Sequence, residues 1–156
     1  MDAAVTNVAM AALVADGLLA GLSLDKVIVQ LPARRQIGVT AYAAYARAAD
    51  LGNGIAFYAV AGVGAAMLTL AAFAVAAALG APGDVTGLLA AAAALSLLHS
   101  AATGRAAPAM FQIGRAGDTE EALTPLLTRF ARWSEARAAV QTATLIVVAI
   151  AIAAGT

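Results

Sequence analysis

Three stripes of polar residues interrupt an otherwise apolar chain, and they carry the side chains that could do chemistry. The first holds Asp16, with Ala20 and Ser23 following at i+4 and i+7. The second holds Ser96, His99, Ser100 and Thr103. The third holds Trp133, Arg137, Gln141 and Thr144, spaced i, i+4, i+8 and i+11. Residues at these spacings share one face of a helix. His99 is the only histidine. Its imidazole, or the Asp16 carboxylate, could take a proton as a general base. Arg137 and Gln141 are donors suited to an oxygen that gains negative charge. Together these types fit removal of an acidic proton from a bound molecule, with support for the enolate oxygen that results. The candidate catalytic groups are therefore His99, Asp16 and Arg137. Trp133, Gln141, Ser96, Ser100 and Thr103 are the candidate substrate contacts. Each has a plainer reading beside this one. Asp16 and His99 could simply fix helix packing through hydrogen bonds, Arg137 could snorkel at the membrane edge, and Trp133 could anchor at the interface.

The stripes lie on stretches that belong in lipid. The chain of 156 residues is 63% hydrophobic and 12% charged, with a mean hydropathy of +0.89. A soluble domain carries about 25% charged residues. Leu51 to Gly83 and Ala138 to Thr156 carry no charge, and Val85 to Gly104 carries only the titratable His99. Ala3 to Leu24 is interrupted by Asp16 alone. Each run is long enough to cross the hydrocarbon core, which takes about 20 residues. The spacing predicts an all-α fold, a bundle of four transmembrane helices in a single domain over 1–156. The helices are expected near 3–24, 54–79, 85–107 and 125–154. A short interfacial helix is expected over 33–49, with Ile37, Ala41, Tyr45 and Ala48 along one side and Tyr42 and Tyr45 near the headgroups. Gly17 and Gly21 have the GxxxG spacing that lets helices approach closely. Pro108 is expected to kink or end the third helix. Asp118 or Thr119 is a candidate N-cap in the connection that follows.

Charge placement sets an expected orientation. Lys26, Arg34, Arg35 and Arg47 lie between the first and second helices, and Arg105, Arg115, Arg129, Arg132 and Arg137 lie at or between the third and fourth. The positive-inside rule puts both long connections in the cytoplasm and both termini outside, in a bacterial inner membrane. The start "MDAAVTN" lacks the basic residues of a cleavable signal, so the first helix is expected to stay in the membrane. With that orientation Asp16, His99, Arg137 and Gln141 all fall in the cytoplasmic half, and a pair between Asp16 and Arg137 or His99 is expected. The chain has no cysteine, which excludes disulfides and thiolate chemistry. Its formal net charge of +0 gives nucleic-acid binding no electrostatic support. A protein-only metal site is not expected from one histidine without cysteine. No cofactor is expected, and a haem with His99 as its single axial ligand is the alternative.

Three segments resemble a known pattern. They are "DGLLAGLSL" in the first helix, "RAAPAMFQI" at the end of the third, and "RFARWSEARAAVQTATLIV" entering the fourth. The layout resembles the anthrone-oxygenase-like family of small four-helix membrane proteins over nearly the whole chain. The resemblance implies an oxygenase-like role on polycyclic aromatic substrates for some members. It matches Trp133 and Arg137 to the family's fourth-helix motif and Pro108 to the end of its third helix. Between Trp133 and Arg137 this chain has Ser134, Glu135 and Ala136, where family members often have Asn or His.

The first functional expectation is thus a membrane enzyme or binder for a lipophilic aromatic or quinone-like molecule that enters sideways between helices. The alternative is a non-catalytic accessory subunit or scaffold of a larger membrane complex, which fits the small size and short connections. A transporter would have to be a homo-oligomer of four-helix units. In every case the first partner is the lipid bilayer.

Overall fold

The computed structural model describes residues 1–156. It is all helical, with four long helices: α1, Ala3–Ile37; α2, Val39–Ala78; α3, Gly83–Arg115; and α4, Glu120–Ala154. Short turns join them, so they run up and down in sequence. Helix α1 packs on α2 and α4, and α3 also packs on α2 and α4, which closes a square bundle. All four are long and apolar enough to cross a membrane. Large apolar side chains point outward from each helix, among them Val14, Val60, Met67, Leu98 and Ile146. In water such a surface would drive aggregation, whereas in hydrocarbon it is the ordinary exterior. The chain is built as an integral membrane protein.

The helices are longer than a bilayer needs. At 1.5 Å per residue, 33 to 40 residues span about 50–60 Å, against a hydrocarbon core of about 30 Å. The end that carries the α2–α3 turn is almost free of charge. The end that carries the α1–α2 and α3–α4 turns holds the arginines. The excess length therefore emerges at the basic end. Two separate cores correspond to the two halves. At the apolar end, alanines make a close seam (Ala9, Ala12, Ala72, Ala76, Ala92 and Ala151) around Val5, Val85, Leu89 and Val148. At the basic end the core is bulkier and includes Tyr42, Ile113, Leu123, Leu127 and Phe130. Small side chains let helix backbones approach in lipid. The larger residues restore a conventional hydrophobic core where the bundle leaves it.

Several boundaries differ from the sequence expectation. Residues 33–49 do not form one interfacial helix. Gly38, at φ 86°, ends α1 after its two arginines, and α2 begins at Val39. The buried stripe there is Tyr42, Ala43 and Ala46, and Ile37 and Tyr45 face outward at 51% and 44% exposure. Helix α3 passes through Pro108 to Arg115, because the next turns bury Ala109, Met110 and Ile113 in the basic-end core. That packing outweighs the roughly 3 kcal/mol that an interior proline costs. Helix α4 starts at Glu120 rather than near Pro125. Thr119 caps it, accepting from the Ala122 amide. The Gly17–Gly21 pair makes no tight seam. A Cβ on Gly21 would meet nothing within 4 Å, and one on Gly17 would make only an ordinary contact with Leu145.

Arg47 ties the basic end together. Its Nε donates to the carbonyl of Ile113 at 3.0 Å and its Nη2 to that of Ala116 at 2.9 Å, and it pairs with Asp118. Carbonyls in the last turn of a helix have no partner within it, and a cation there also meets the negative end of the helix dipole. One side chain from α2 thus caps α3 and fixes the turn into α4. Arg47→Ala is expected to lower stability by on the order of 2 kcal/mol, since hydrogen bonds to charged groups contribute about 1.5–3 kcal/mol. Asp118→Asn should cost much less, because Asp118 is exposed. Thermal unfolding of the three proteins in one detergent checks the order.

Candidate functional site

Between the two cores the bundle is polar, and two wide helical turns shape it. Residues Asp25–Gln30 of α1 and Ala49–Asn53 of α2 form π-helical turns, each inserting extra backbone into its helix. Such turns rotate the side chains that follow and are frequent at functional sites. The second turn depends on glycine. Gly52 takes a non-helical conformation, φ −84° and ψ −113°, and a Cβ on Gly54 would overlap the Ala49 carbonyl and the Tyr58 ring. The two turns bring Lys26 and Asp50 together. Lys26 Nζ lies 2.6 Å from Asp50 Oδ1, with the two side chains only 4% and 7% exposed. Gln30 accepts a second bond from Lys26 and donates to Asp25, and the Tyr45 hydroxyl donates to Gln30.

Past Asp50, α2 stands away from the bundle. From Leu51 to Gly64 it buries no residue, and contact resumes at Ala65, Thr69, Ala72 and Ala76. The space left behind is a cavity of about 270 Å³. Leu19, Ile55, Met110 and Phe130 supply much of its apolar wall, and its polar wall includes Lys26, Asp50, Tyr58, His99, Thr103 and Arg137. A groove of about 410 Å³ runs beside it between α2 and α3. Tyr58, Ala59, Gly62, His99 and Thr103 border both spaces. The groove's other residues include Val63 and Met67, 61% and 65% exposed on the outer face. The cavity therefore adjoins the lipid side of the bundle.

His99 and Arg137 meet at the cavity wall. His99 Nδ1 is 3.3 Å from the Arg137 carbonyl oxygen. A carbonyl only accepts, so Nδ1 carries the hydrogen and Nε2 is left as the acceptor nitrogen of the neutral ring. No protein group bonds Nε2. Thr103 donates to the His99 carbonyl at 3.0 Å and Ser100 to that of Ser96 at 3.0 Å, as hydroxyls within a helix commonly do. The Arg137 guanidinium is in neither of the two salt bridges, and its buried Nε has no partner. With Lys26 paired to Asp50, Arg137 is the cation on the cavity without a direct partner. An electron-rich or anionic oxygen is the ligand atom that such a wall accommodates.

Asp16 belongs to a neighbouring layer. It is fully buried and pairs with neither Arg137 nor His99. Gln141 Nε2 donates to its Oδ1 at 2.9 Å, and the Thr69 hydroxyl lies 2.8 Å from its Oδ2. Thr69 also reaches the Ala65 carbonyl at 2.9 Å. One hydroxyl hydrogen cannot serve both acceptors. Thr69 donates to Asp16 Oδ2, and the Ala65 carbonyl, which already accepts a helical amide, does not require the same hydrogen.

Of the residues expected from sequence, His99, Arg137 and Thr103 share the cavity, and Ser100 borders only the groove. Gln141 is held by Asp16, Ser96 is buried against the bundle, and neither lines either space. Trp133 packs on the basic-end core under Arg105, whose guanidinium carbon is 5.7 Å from the ring centre. Lys26, Asp50 and Tyr58 were not expected at a site. Lys26 follows Ser23 at i+3 and Asp50 follows the buried Ala46 at i+4, but both read as charges of a polar connection, and Tyr58 lies beyond the second wide turn. The available signal was Asp50 itself, the last charge before a long neutral run, beside two glycines. No family model, curated protein or solved structure matches this chain.

The bonds around Asp16 make a direct test. Asp16→Asn keeps an acceptor for Gln141, while Thr69 turns its hydrogen to Ala65 and accepts from the new N–H₂ group, so the variant should unfold within a few degrees of wild type. Asp16→Ala leaves Gln141 and Thr69 without their partner and should lose about 1–3 kcal/mol, the usual penalty for buried unsatisfied groups. Thermal unfolding in one detergent separates the two.

Proposed function

We propose that this chain is an integral protein of the bacterial inner membrane that takes a lipophilic aromatic or quinone-like molecule from the bilayer into the cavity beside His99 and Arg137. One observation carries the reading. The cavity shares a wall with a groove on the lipid side of α2 and α3, and that wall holds His99, with Arg137 lining the cavity behind it. The apolar lining receives the ring system, and the few polar groups orient its oxygen, as in ligand pockets generally.

The same groups support chemistry on the bound molecule. His99 Nε2 is placed to take an acidic C–H or O–H proton. The Nδ1 bond to the Arg137 carbonyl steadies the ring as it becomes charged. The Arg137 guanidinium then holds the enolate or phenolate oxygen. The likeness to anthrone-oxygenase-like proteins suggests dioxygen as the second reactant with such an anion. Asp16 acts at one remove in this scheme, as a positioning group that fixes Gln141 on α4 one turn from Arg137. A protein that binds its molecule without turning it over would be the carrier or accessory subunit of a larger complex.

Native mass spectrometry of the protein in lipid nanodiscs is expected to find an aromatic molecule bound. Titration with a simple naphthoquinone should give saturable binding. His99→Ala and Arg137→Gln should each weaken it about tenfold or more, the equivalent of losing one charge-assisted hydrogen bond. Gly62→Leu should obstruct it with little effect on folding, since a Cβ there meets nothing within 4 Å. Saturable binding that none of the three changes would place the ligand elsewhere and end this reading.

The orientation has its own test. The chain lacks cysteine, so single cysteines report without background. Gly117→Cys, in the α3–α4 turn, is expected to be shielded from a membrane-impermeant maleimide in intact spheroplasts and to react after lysis. Thr156→Cys is expected to react in both. The opposite pattern would reverse the assigned topology.

A further inference from the structure

We infer that Asp50 selects the molecule by accepting a hydrogen bond from its hydroxyl group, so that the cavity favours a phenol or hydroquinone over the matching quinone. The inference rests on the cavity being a ligand site, as proposed above, and narrows the class of ligand. Asp50 Oδ1 is taken by Lys26 at 2.6 Å. Asp50 lines the cavity wall, and its buried Oδ2 has no partner. A buried carboxylate oxygen without a donor is costly, so an occupant that supplies a hydrogen there gains what the protein alone leaves unmet. Lys26 directs its bonds to Asp50 Oδ1 and Gln30, and none reaches Oδ2. Arg137 lines the same cavity, and its buried Nε is a donor without an acceptor. The wall thus asks for a molecule that donates at one point and accepts at another.

A hydroquinone meets both demands, since each hydroxyl donates and accepts. A quinone only accepts, so it can satisfy Arg137 but leaves Asp50 Oδ2 bare. A water on Oδ2 in the empty cavity does not alter the preference. The hydroxyl replaces such a water bond for bond, and the quinone would displace it without compensation.

The test compares durohydroquinone and duroquinone, which have the same carbon skeleton, by anaerobic titration in nanodiscs of one lipid composition. Wild type is expected to bind the hydroquinone at least tenfold more tightly, after correction for partition measured with empty discs. Asp50→Asn is expected to reverse the preference. Lys26 is only a donor, so it keeps the amide oxygen in the Oδ1 place and puts the N–H₂ group where Oδ2 was. That group donates to a quinone carbonyl. Equal affinity for the two forms in wild type, or an unchanged preference in Asp50→Asn, would overturn the role of Asp50 while leaving the cavity as a ligand site. Failure to bind either form would remove the ligand site and this inference with it. If Asp50→Asn does not fold, the infrared difference spectrum of wild type decides. A carboxylate band that shifts with hydroquinone and not with quinone supports the inference, and a band that shifts with neither refutes it.

Discussion

A polar side chain inside a membrane bundle meets no bulk water, so its partner must be another helix, a trapped water or a guest. That constraint organises the middle of this protein. Asp16, Thr69 and Gln141 resolve it entirely within the bundle, linking α1, α2 and α4 through one closed set of hydrogen bonds. Lys26 and Asp50 resolve it in part, since one carboxylate oxygen is bonded and the other is not. His99 finds a backbone carbonyl for one ring nitrogen. Arg137 is left with a buried nitrogen that no group accepts from. Of the five buried atoms without a partner, Asp50 Oδ2 and Arg137 Nε belong to residues that line the same cavity, and Arg34 Nη1, Tyr42 Oη and Ser134 Oγ lie elsewhere.

The two cores make such a layer sustainable. At the apolar end the alanine seam holds the four backbones close, and at the basic end larger side chains and the Arg47 clamp do the same work. The layer between them therefore does not have to hold the helices together. Helix α2 can stand off from Leu51 to Gly64 because it is fixed at both limits of that stretch, by the Lys26–Asp50 pair below and by Ala65 and Thr69 above. A buried ion pair contributes little net stability after desolvation. Here it sets where α2 departs and gives the cavity its floor.

The fold class was readable because hydropathy answers a simple question: how many charge-free runs are long enough to cross a bilayer. The boundaries were harder, since they depend on what lies outside the lipid. Pro108 and Pro125 look like helix limits along the sequence, and each is overridden by packing in a core that emerges beyond the hydrocarbon. Gly38 was the true break, and a lone glycine between an isoleucine and a valine gives weak notice of it. The site was legible where the helices are regular. His99, Arg137 and Thr103 lie on stripes that periodicity finds, and they do meet. Lys26 and Asp50 escaped because both read as charges of a polar connection between helices, although Lys26 follows Ser23 at i+3 and Asp50 follows the buried Ala46 at i+4.

One question separates a site from a flaw in packing: whether the empty space is forced on the bundle. At Gly62 it is not. The residue borders both the cavity and the groove, its backbone is ordinary helix, and an added Cβ would touch nothing within 4 Å. An alanine there would meet no steric cost. Ala59, on the next turn, borders the same two spaces. Gly54 is different, because the wide turn below allows no Cβ at all. The glycine that builds the hinge is required by the backbone. The glycine at the mouth of the cavity has no such backbone requirement, and the open space beside it is what the proposed ligand would occupy.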